Sequence, residues 1–263
     1  MVTQPVVGVL ALQGGVAEHL AMLESLGARA IRVRSASDLV GDDGAPVIDA
    51  LVLPGGESST TDRLCRTFGL FDPLREVIAA GLPVLGTCAG LIMLASQIED
   101  PAPGQQSLGV LDVTVARNAF GSQVDSAEVL LEWMGPSTTP DHLDSHPGDS
   151  ASHADTGDTA EGHVDVTDAV TGHLGRAFDL VSGRAASDAD VALAPSGVVR
   201  AAFIRAPAVT RVGDGVEVLA RYQESVVAVR QSNILAISFH PELTGDVTVH
   251  EELLGLVRLE AAV

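Results

Sequence analysis

Short apolar runs that end in glycine and lead into helical stretches are the feature that most restricts how this chain can fold. Val6 to Leu12 is a continuous apolar run closed by Gln13-Gly14-Gly15. Val16 to Leu26 follows with apolar residues at helical spacing, and Gly27 stands where a helix would stop. Ala30 to Val33 reads as a second strand and Ala50 to Leu53 as a third, the latter ending at Pro54-Gly55-Gly56. Ser59 to Phe68 and Phe71 to Ala80 read as helices, with Gly69 and Gly81 as breaks. Pro83 to Leu85 is a fourth strand, and Ala89 to Gln97 reads as the helix after it. A strand that is apolar at every residue is buried on both faces. Strands alternating with helices at this interval predict an α/β fold, a mostly parallel twisted sheet flanked by helices.

Beyond Gln97 the pattern changes. Leu108 to Val115, Val124 to Leu131, Ala201 to Ala206, Val216 to Ala220 and Val226 to Val229 read as strands with little helix between them, which predicts an antiparallel section. Ile234 to Phe239 is a last buried strand and Val247 to Leu259 a closing helix. From about Ser137 to Ser196 the composition breaks. This stretch holds 11 acidic residues against two basic ones, Arg176 and Arg184, a balance of −9 within the chain's −20. Its apolar residues keep no period, so it cannot bury enough surface to offset its ordering entropy. The expectation is a single domain over residues 1–263, interrupted by a disordered acidic insertion with room for a short helix around Val164 to Leu174.

Composition excludes several functions. A net charge of −20 is wrong for a nucleic-acid or anionic-membrane partner, either of which needs a basic patch. All 15 basic residues are arginine; without lysine the chain cannot form a Schiff base through its own side chains. Two cysteines, Cys65 and Cys88, are too few for a disulfide framework or a cysteine-rich zinc site. The first apolar run is too short to span a bilayer and lacks a preceding basic region. A reducing, cytoplasmic setting is expected.

Gly86-Thr87-Cys88-Ala89-Gly90 has the spacing of a nucleophile elbow, with cysteine in place of serine. A strand running straight into a helix forces the residue at the turn into a strained conformation. Small residues two positions either side avoid collisions there. The thiol then projects from the carboxyl edge of the sheet, where ligands bind in open α/β folds. A helix starting at Ala89 adds positive dipole charge beside the sulfur, and the Ala89 N–H is free to face an oxyanion. By spacing alone, a small buried cysteine in a glycine-rich turn fits equally. Cys65 lies inside a helix without glycine framing and reads as inert.

A cysteine nucleophile needs a base, and the base an orienting group. Ile237-Ser238-Phe239-His240-Pro241-Glu242 can provide both, since it leaves a buried strand at the same sheet edge. With Pro241 keeping the backbone extended, Glu242 would share a side with His240 and reach its imidazole. His19 reads as a histidine on the surface of the first helix, and His250 likewise. The other histidines, His142, His146, His153, His163 and His173, fall in the acidic insertion at spacings that match no tight metal motif. No metal and no cofactor are expected.

Pro54-Gly55-Gly56-Glu57-Ser58 lies between a strand and a helix, with Ser58, Ser59 or Thr60 available as N-cap. Its backbone N–H groups could take an anion or an oxyanion, but the Lys-Ser/Thr ending of a phosphate loop is missing. Arg117 and Arg205 stand at strand ends. Buried there, each would need a carboxylate, from the protein or from a substrate.

Taken together, GVLALQGGVAEH (Gly8 to His19), LVLPGGES (Leu51 to Ser58), GTCAGLIMLA (Gly86 to Ala95), RNAFGSQVDS (Arg117 to Ser126), FIRAP (Phe203 to Pro207) and SFHPELT (Ser238 to Thr244) are recognisable. The chain resembles the class I, triad-type glutamine amidotransferases. More narrowly, it is similar to the family of glutaminase subunits of pyridoxal 5′-phosphate synthase. The resemblance covers nearly everything outside the insertion. It implies a Cys88, His240 and Glu242 triad; a glutamine-binding turn at Gly56, Glu57 and Ser58; glutamine contacts from Arg117, Ile204 and Arg205; and oxyanion N–H groups at Gly55, Gly56 and Ala89. It implies hydrolysis of L-glutamine to L-glutamate and ammonia, with the ammonia passed to a separate synthase subunit that builds pyridoxal 5′-phosphate on lysine imines. The absence of lysine here fits that division of labour. The helix after Gln13-Gly14 is similar to the region that meets the partner. The family usually lacks the insertion.

Three other readings are open to the sequence. Amidotransferase subunits of histidine or purine synthesis usually carry a glutamine at the helix start after the elbow, where this chain has Leu91-Ile92-Met93. Peptidase- or chaperone-like relatives of the fold tend to place a histidine soon after the cysteine, and none follows here. An inactive binding subunit is disfavoured by the complete Cys, His and Glu set.

Overall fold

Every buried strand of the central sheet alternates its side chains between two apolar layers, which is why the sequence runs appear continuous. Leu51 and Leu53 face one layer, Ala50 and Val52 the other; Val84 and Leu85 divide in the same way, as do Ile234 with Ala236 and Leu235 with Ile237. The computed structural model describes residues 4–119, 126–134 and 197–260. They form one compact unit.

The elements run β1 (Val6–Leu10), α1 (Val16–Ser25), β2 (Arg29–Val33), β3 (Ala50–Leu53), α2 (Ser58–Thr67), α3 (Phe71–Ala79), β4 (Val84–Thr87), α4 (Ala89–Leu94), β5 (Ala95–Glu99), β6 (Leu111–Ala116) and β7 (Ser126–Glu132). They continue with β8 (Val198–Ile204), β9 (Ala208–Val212), β10 (Glu217–Tyr222), β11 (Ser225–Gln231), β12 (Ile234–Ile237), α5 (Pro241–Thr244) and α6 (Thr248–Glu260). The large sheet has the order β2-β1-β3-β4-β12-β11-β9-β6-β5, with β10 on β11. From β2 to β12 every pairing is parallel, and β12-β11-β9-β6 is antiparallel. β7 and β8 form a separate antiparallel pair.

Leu20 and Leu23 of α1 and Val249, Leu253 and Leu254 of α6 pack on one face of the sheet. The same layer takes Leu131, Val199, Ala201 and Phe203 from the β7-β8 pair and Trp133 just after β7. Cys65 of α2, Leu74 and Ile78 of α3 and Leu91 to Leu94 of α4 pack on the other. The registers bring three strand ends together: Leu53 opposite Gly86, and Thr87 opposite Ile237. The Gly55 turn, Cys88 and the His240 segment therefore emerge side by side at one sheet edge.

The mostly parallel sheet with flanking helices and an antiparallel section agrees with the sequence reading. Two strands differ from it. The helix expected over Ala89 to Gln97 ends at Leu94, and Ala95–Glu99 is a strand beside β6. The returning chain takes the carbonyls at the helix end: Leu108 N–H donates to Met93 O at 2.7 Å and Val110 N–H to Leu94 O at 3.1 Å. Tertiary pairing has overridden local propensity. β9 was not expected, because Thr210 and Arg211 interrupt its apolar run; it is held by β6 and β11. The insertion and its short helix lie outside the described residues. Among the described residues no helix is long and apolar enough to cross a membrane.

Candidate active site

Cys88 follows β4 as the N-cap of α4, with φ 49° and ψ −102°, a conformation that non-glycine residues rarely adopt. Its neighbours impose it. The Cys88 N–H donates to Ile237 O at 2.8 Å, continuing the β4-β12 ladder to the last residue before α4. A Cβ on Gly86 would fall 2.5 Å from Leu94 Cδ1 and 2.8 Å from the Gly90 carbonyl carbon, and one on Gly90 would collide with the Leu53 carbonyl. Only glycine at both positions lets α4 lie this close to β3 and β4. α4 is only six residues long, so its dipole is weaker than the sequence suggested. The Gly55, Gly56 and Ala89 N–H groups have no acceptor among the described residues, which leaves them available to an oxyanion.

His240 follows β12 and is fixed by its own N–H, which donates to Ala202 O at 2.9 Å. Its Nδ1 lies 2.8 Å from Glu242 Oε1. The route to this contact differs from the expected extended chain. Pro241 is the first residue of α5, with His240 as N-cap, because proline's fixed φ and missing N–H suit a helix start. Glu242 reaches back from the first turn. A Cβ on Gly55 would fall on the His240 ring and 3.4 Å from Cys88 Cβ, so the glycine turn seats Cys88 and His240 together.

Burial opposes a proton on His240, but hydrogen bonds with Cys88 and Glu242, and the charges of both, outweigh it and lift the imidazole to about 10. Burial also opposes charge on Glu242, and the contacts to His240 and His19 hold it below the usual carboxylate range. At neutral pH the pair is an imidazolium on a carboxylate. Burial pushes the Cys65 thiol up to about 12, with Asp62 adding to it, in keeping with an inert residue.

Glu57 itself is the N-cap of α2, where Ser58, Ser59 or Thr60 was expected. Its carboxylate accepts from Ser59 N at 3.1 Å and Thr60 N at 2.7 Å. Partial burial would raise its pKa, but these bonds and that from the Ser59 hydroxyl hold it at about 2. Arg117 Nη2 donates to Glu57 Oε1 at 3.1 Å and Nη1 to Gln105 Oε1 at 2.9 Å. Gln105 Nε2 donates in turn to the buried Ser58 hydroxyl at 3.0 Å. Ala119 N–H donates to Ala206 O, which joins the Arg117 turn to that of Ile204 and Arg205. Arg205 is exposed, with φ 43°, and so needs no buried carboxylate. Ile204 is half-buried at the end of β8. Of the RNAFGSQVDS segment, Phe120 to Asp125 fall outside the described residues.

Sequence reasoning missed three residues at this edge. Gln13 pins the glycine turn: its Nε2 donates to Glu57 O at 2.9 Å and to the Thr61 hydroxyl, and its Oε1 accepts from Glu57 N at 3.1 Å. His19 and His250 were expected on helix surfaces; both are fully buried and meet each other beside Glu242. A signal existed for His19, since it shares a helix face with the buried Met22 and Leu23. A cavity of about 530 Å³ lies at the opposite sheet edge, lined by Gln231 to Ile234, Leu108 to Val110 and α3, away from this chemistry. Among the described residues no group of His, Cys, Asp and Glu is arranged to hold a metal ion.

These charges predict a stability maximum near pH 6.5. Burial holds His250 at about 3, and lowers His19 in the same direction. The unfolded chain protonates both below 6.5 while the folded chain does not, so stability falls as pH drops below that value, and Glu242 adds to the loss below 4.5. His240 acts oppositely: its contribution is complete below 6.5 and is lost as pH rises through about 10. Urea midpoints across this range are expected to fall on both sides. Equal midpoints at about pH 5 and pH 7 would contradict the neutral buried imidazoles.

The profile of the SNO glutamine amidotransferase family matches residues 9–138 and 183–257 and passes over the segment between. The chain is 42% identical to the pyridoxal 5′-phosphate synthase subunit PdxT of Cutibacterium acnes (strain DSM 16379 / KPA171202), covering 97% of this chain and 98% of that protein. It is also 42% identical to the protein of the same name from Acidothermus cellulolyticus (strain ATCC 43068 / DSM 8971 / 11B), over 99% and 97%. A solved glutamine amidotransferase superposes with a TM-score of 0.67 at 36% identity, over 96% of this chain and 98% of that one. The structure of PurLQS from Thermotoga maritima superposes at 0.55 with 14% identity over 96% and 99%, a likeness of fold alone.

Proposed function

The chain belongs to the SNO glutamine amidotransferase family, and from that premise we propose that Cys88, His240 and Glu242 are the triad that hydrolyses the side-chain amide of L-glutamine. The chain acts as a glutaminase subunit of pyridoxal 5′-phosphate synthase, in line with its glutamine amidotransferase family and with relatives named as subunits of that synthase. One observation carries the assignment of residues: a strained cysteine at the carboxyl edge of the sheet and an imidazole meet over the same glycine, Gly55, and that imidazole's Nδ1 is 2.8 Å from a buried carboxylate.

The steps follow from that geometry. The Cys88 thiolate attacks the glutamine amide carbon, and the N–H groups of Ala89 and the Gly55-Gly56 turn take the charge that develops on the amide oxygen. The His240 imidazolium gives its proton to the departing nitrogen, the C–N bond breaks, and ammonia leaves a thioester on Cys88. His240, now neutral, takes a proton from water; the hydroxide adds to the thioester, and glutamate leaves as Cys88 is restored. Glu242 holds the tautomer of His240 throughout. Gly56, Glu57, Ser58, Arg117, Ile204 and Arg205 hold the substrate, with Arg117 matched to its carboxylate. The ammonia goes to a synthase subunit that supplies the lysine chemistry this chain lacks. The setting is cytoplasmic, in keeping with two free thiols. Residues 1–263 act as one glutaminase domain, with the acidic segment as an addition to it.

Ammonia release from glutamine, with and without the synthase subunit from the same genome, tests this reading. Turnover that rises on adding that subunit is expected. Stimulation only by an amidotransferase synthase of another pathway would move the assignment to that pathway.

A further inference from the structure

Glu242 has two carboxylate oxygens, and the triad uses one of them. Oε1 lies 2.8 Å from His240 Nδ1. Oε2 is buried and lies 3.5 Å from His19 Nε2, and neither of these atoms has another polar partner among the described residues. Behind them His19 Nδ1 is 2.9 Å from His250 Nε2. Both imidazoles are 0% exposed.

One arrangement of protons satisfies the whole row. A carboxylate only accepts, so His19 Nε2 carries the hydrogen. A neutral imidazole has a single N–H, so His19 Nδ1 accepts and His250 Nε2 donates. His250 Nδ1 is then left with a lone pair, and it is the ring nitrogen of His250 that has no partner. Every N–H in the row points toward Glu242, the order in which hydrogen bonds polarise one another.

We propose that His19 is a positioning residue of the Cys88–His240–Glu242 triad, holding Glu242 by its second oxygen, and that His250 fixes the tautomer of His19 for this task. The inference rests on the triad reading above. Three elements then lock one carboxylate: α1 brings His19, α5 brings Glu242 and α6 brings His250. A Cβ on Gly15, the N-cap of α1, would fall 3.5 Å from Glu242 Oε1. The 3.5 Å contact is long, as in many resting hydrolases whose hydrogen bonds tighten when charge moves during reaction. Burial keeps both imidazoles neutral; the ionisable groups acting on His19 are Glu242, His240 and Glu18. A carboxylate freed to rotate would release His240 Nδ1, and with it the imidazolium that faces Cys88.

Iodoacetamide labelling of Cys88 in the folded chain reads this without glutamine or a partner. Cys65 is buried with its thiol near 12 and does not contribute. In His19→Gln the amide nitrogen takes the place of Nε2; in His19→Asn it stops short at Nδ1. His19→Asn is expected to label about 10-fold more slowly than wild type at about pH 6, the low end of what outer hydrogen-bond partners carry. His19→Gln should stay within about 2-fold, and all three should converge at about pH 9. Wild-type labelling of His19→Asn at the lower pH, or equal losses in both variants, would overturn the proposal. His250→Phe removes the donor to His19 from a different helix and is expected to lose about 3-fold at the lower pH. It decides the matter if neither His19 variant folds, and wild-type labelling there counts against the proposal. Normal labelling behaviour without glutamine turnover would remove the substrate reading and leave this one standing.

Discussion

Replacing Cys88 by alanine is expected to reduce ammonia release from glutamine by about 10³-fold or more while leaving the fold intact. The change removes one sulfur atom from a buried site and nothing else. Alanine at this position keeps the strained φ of 49°, so the backbone gains no new penalty, and its N–H still donates to Ile237 O. What disappears is the sulfur proposed to bond to the amide carbon. The substitution has a second signature. Cys88 is one of the two supports that lift His240 to about 10, so the His240 imidazole should titrate lower in Cys88→Ala, and the loss of stability on the alkaline side should shrink. Ammonia release, with urea unfolding at about pH 9, measures both. Normal turnover by the alanine variant would end the case for Cys88 as nucleophile.

A single methyl group on Gly55 should cost about 100-fold in kcat, with little change in KM. Gly55 does not have a positive φ, so alanine fits its backbone; the objection is space alone. The new Cβ would overlap His240 Cε1, stand 3.0 Å from Nδ1 and 3.4 Å from Cys88 Cβ. His240 cannot give way freely, since its backbone is tied to Ala202 and its ring to Glu242. Either the ring moves off the sulfur or the Gly55 turn moves off both. A displacement near 1 Å at the reacting groups is enough for a loss of that size. Stability should fall by only about 1–3 kcal/mol, as for other overpacked sites. Steady-state kinetics beside a thermal melt separates the two effects, and a wild-type kcat would show that the glycine turn does not seat the base. Gly56→Ala makes a poorer test, because φ of 142° there adds backbone strain to the contact with Gln13.

The sheet was legible because its signal is local. Ala50 to Leu53 and the β12 run are apolar at every position since both faces of each strand are covered, and the glycines that end the strands sit where the chain must turn sharply. Cys88 was legible for the same reason: Gly86 and Gly90 are the marks of a strand packed tightly against the helix that follows it. The misread parts depended on chain far away. Ala95 left its helix because residues 108–110 return to bond its last carbonyls. Arg205 stands at a strand end in the sequence and is exposed in the fold, so the carboxylate that burial would require is not needed.

The amino-acid sequence by itself determined the alternation of strand and helix, the elbow at Cys88 and the proximity of His240 to Glu242, because each depends on residues at most a few positions apart. It also ruled out imine chemistry on the chain's own side chains, since no lysine is present. The tertiary structure alone decided what surrounds those groups. It seated Gly55 against His240 across a sheet register, and it buried His19 against His250, 231 residues away. Whether a histidine is a solvated surface group or a neutral buried donor depends on dielectric and partners, which packing sets and local spacing does not. The alternating strands fixed the sheet edge at which Cys88 and His240 emerge, and the packing of α1, α5 and α6 decided which atoms surround Glu242 there.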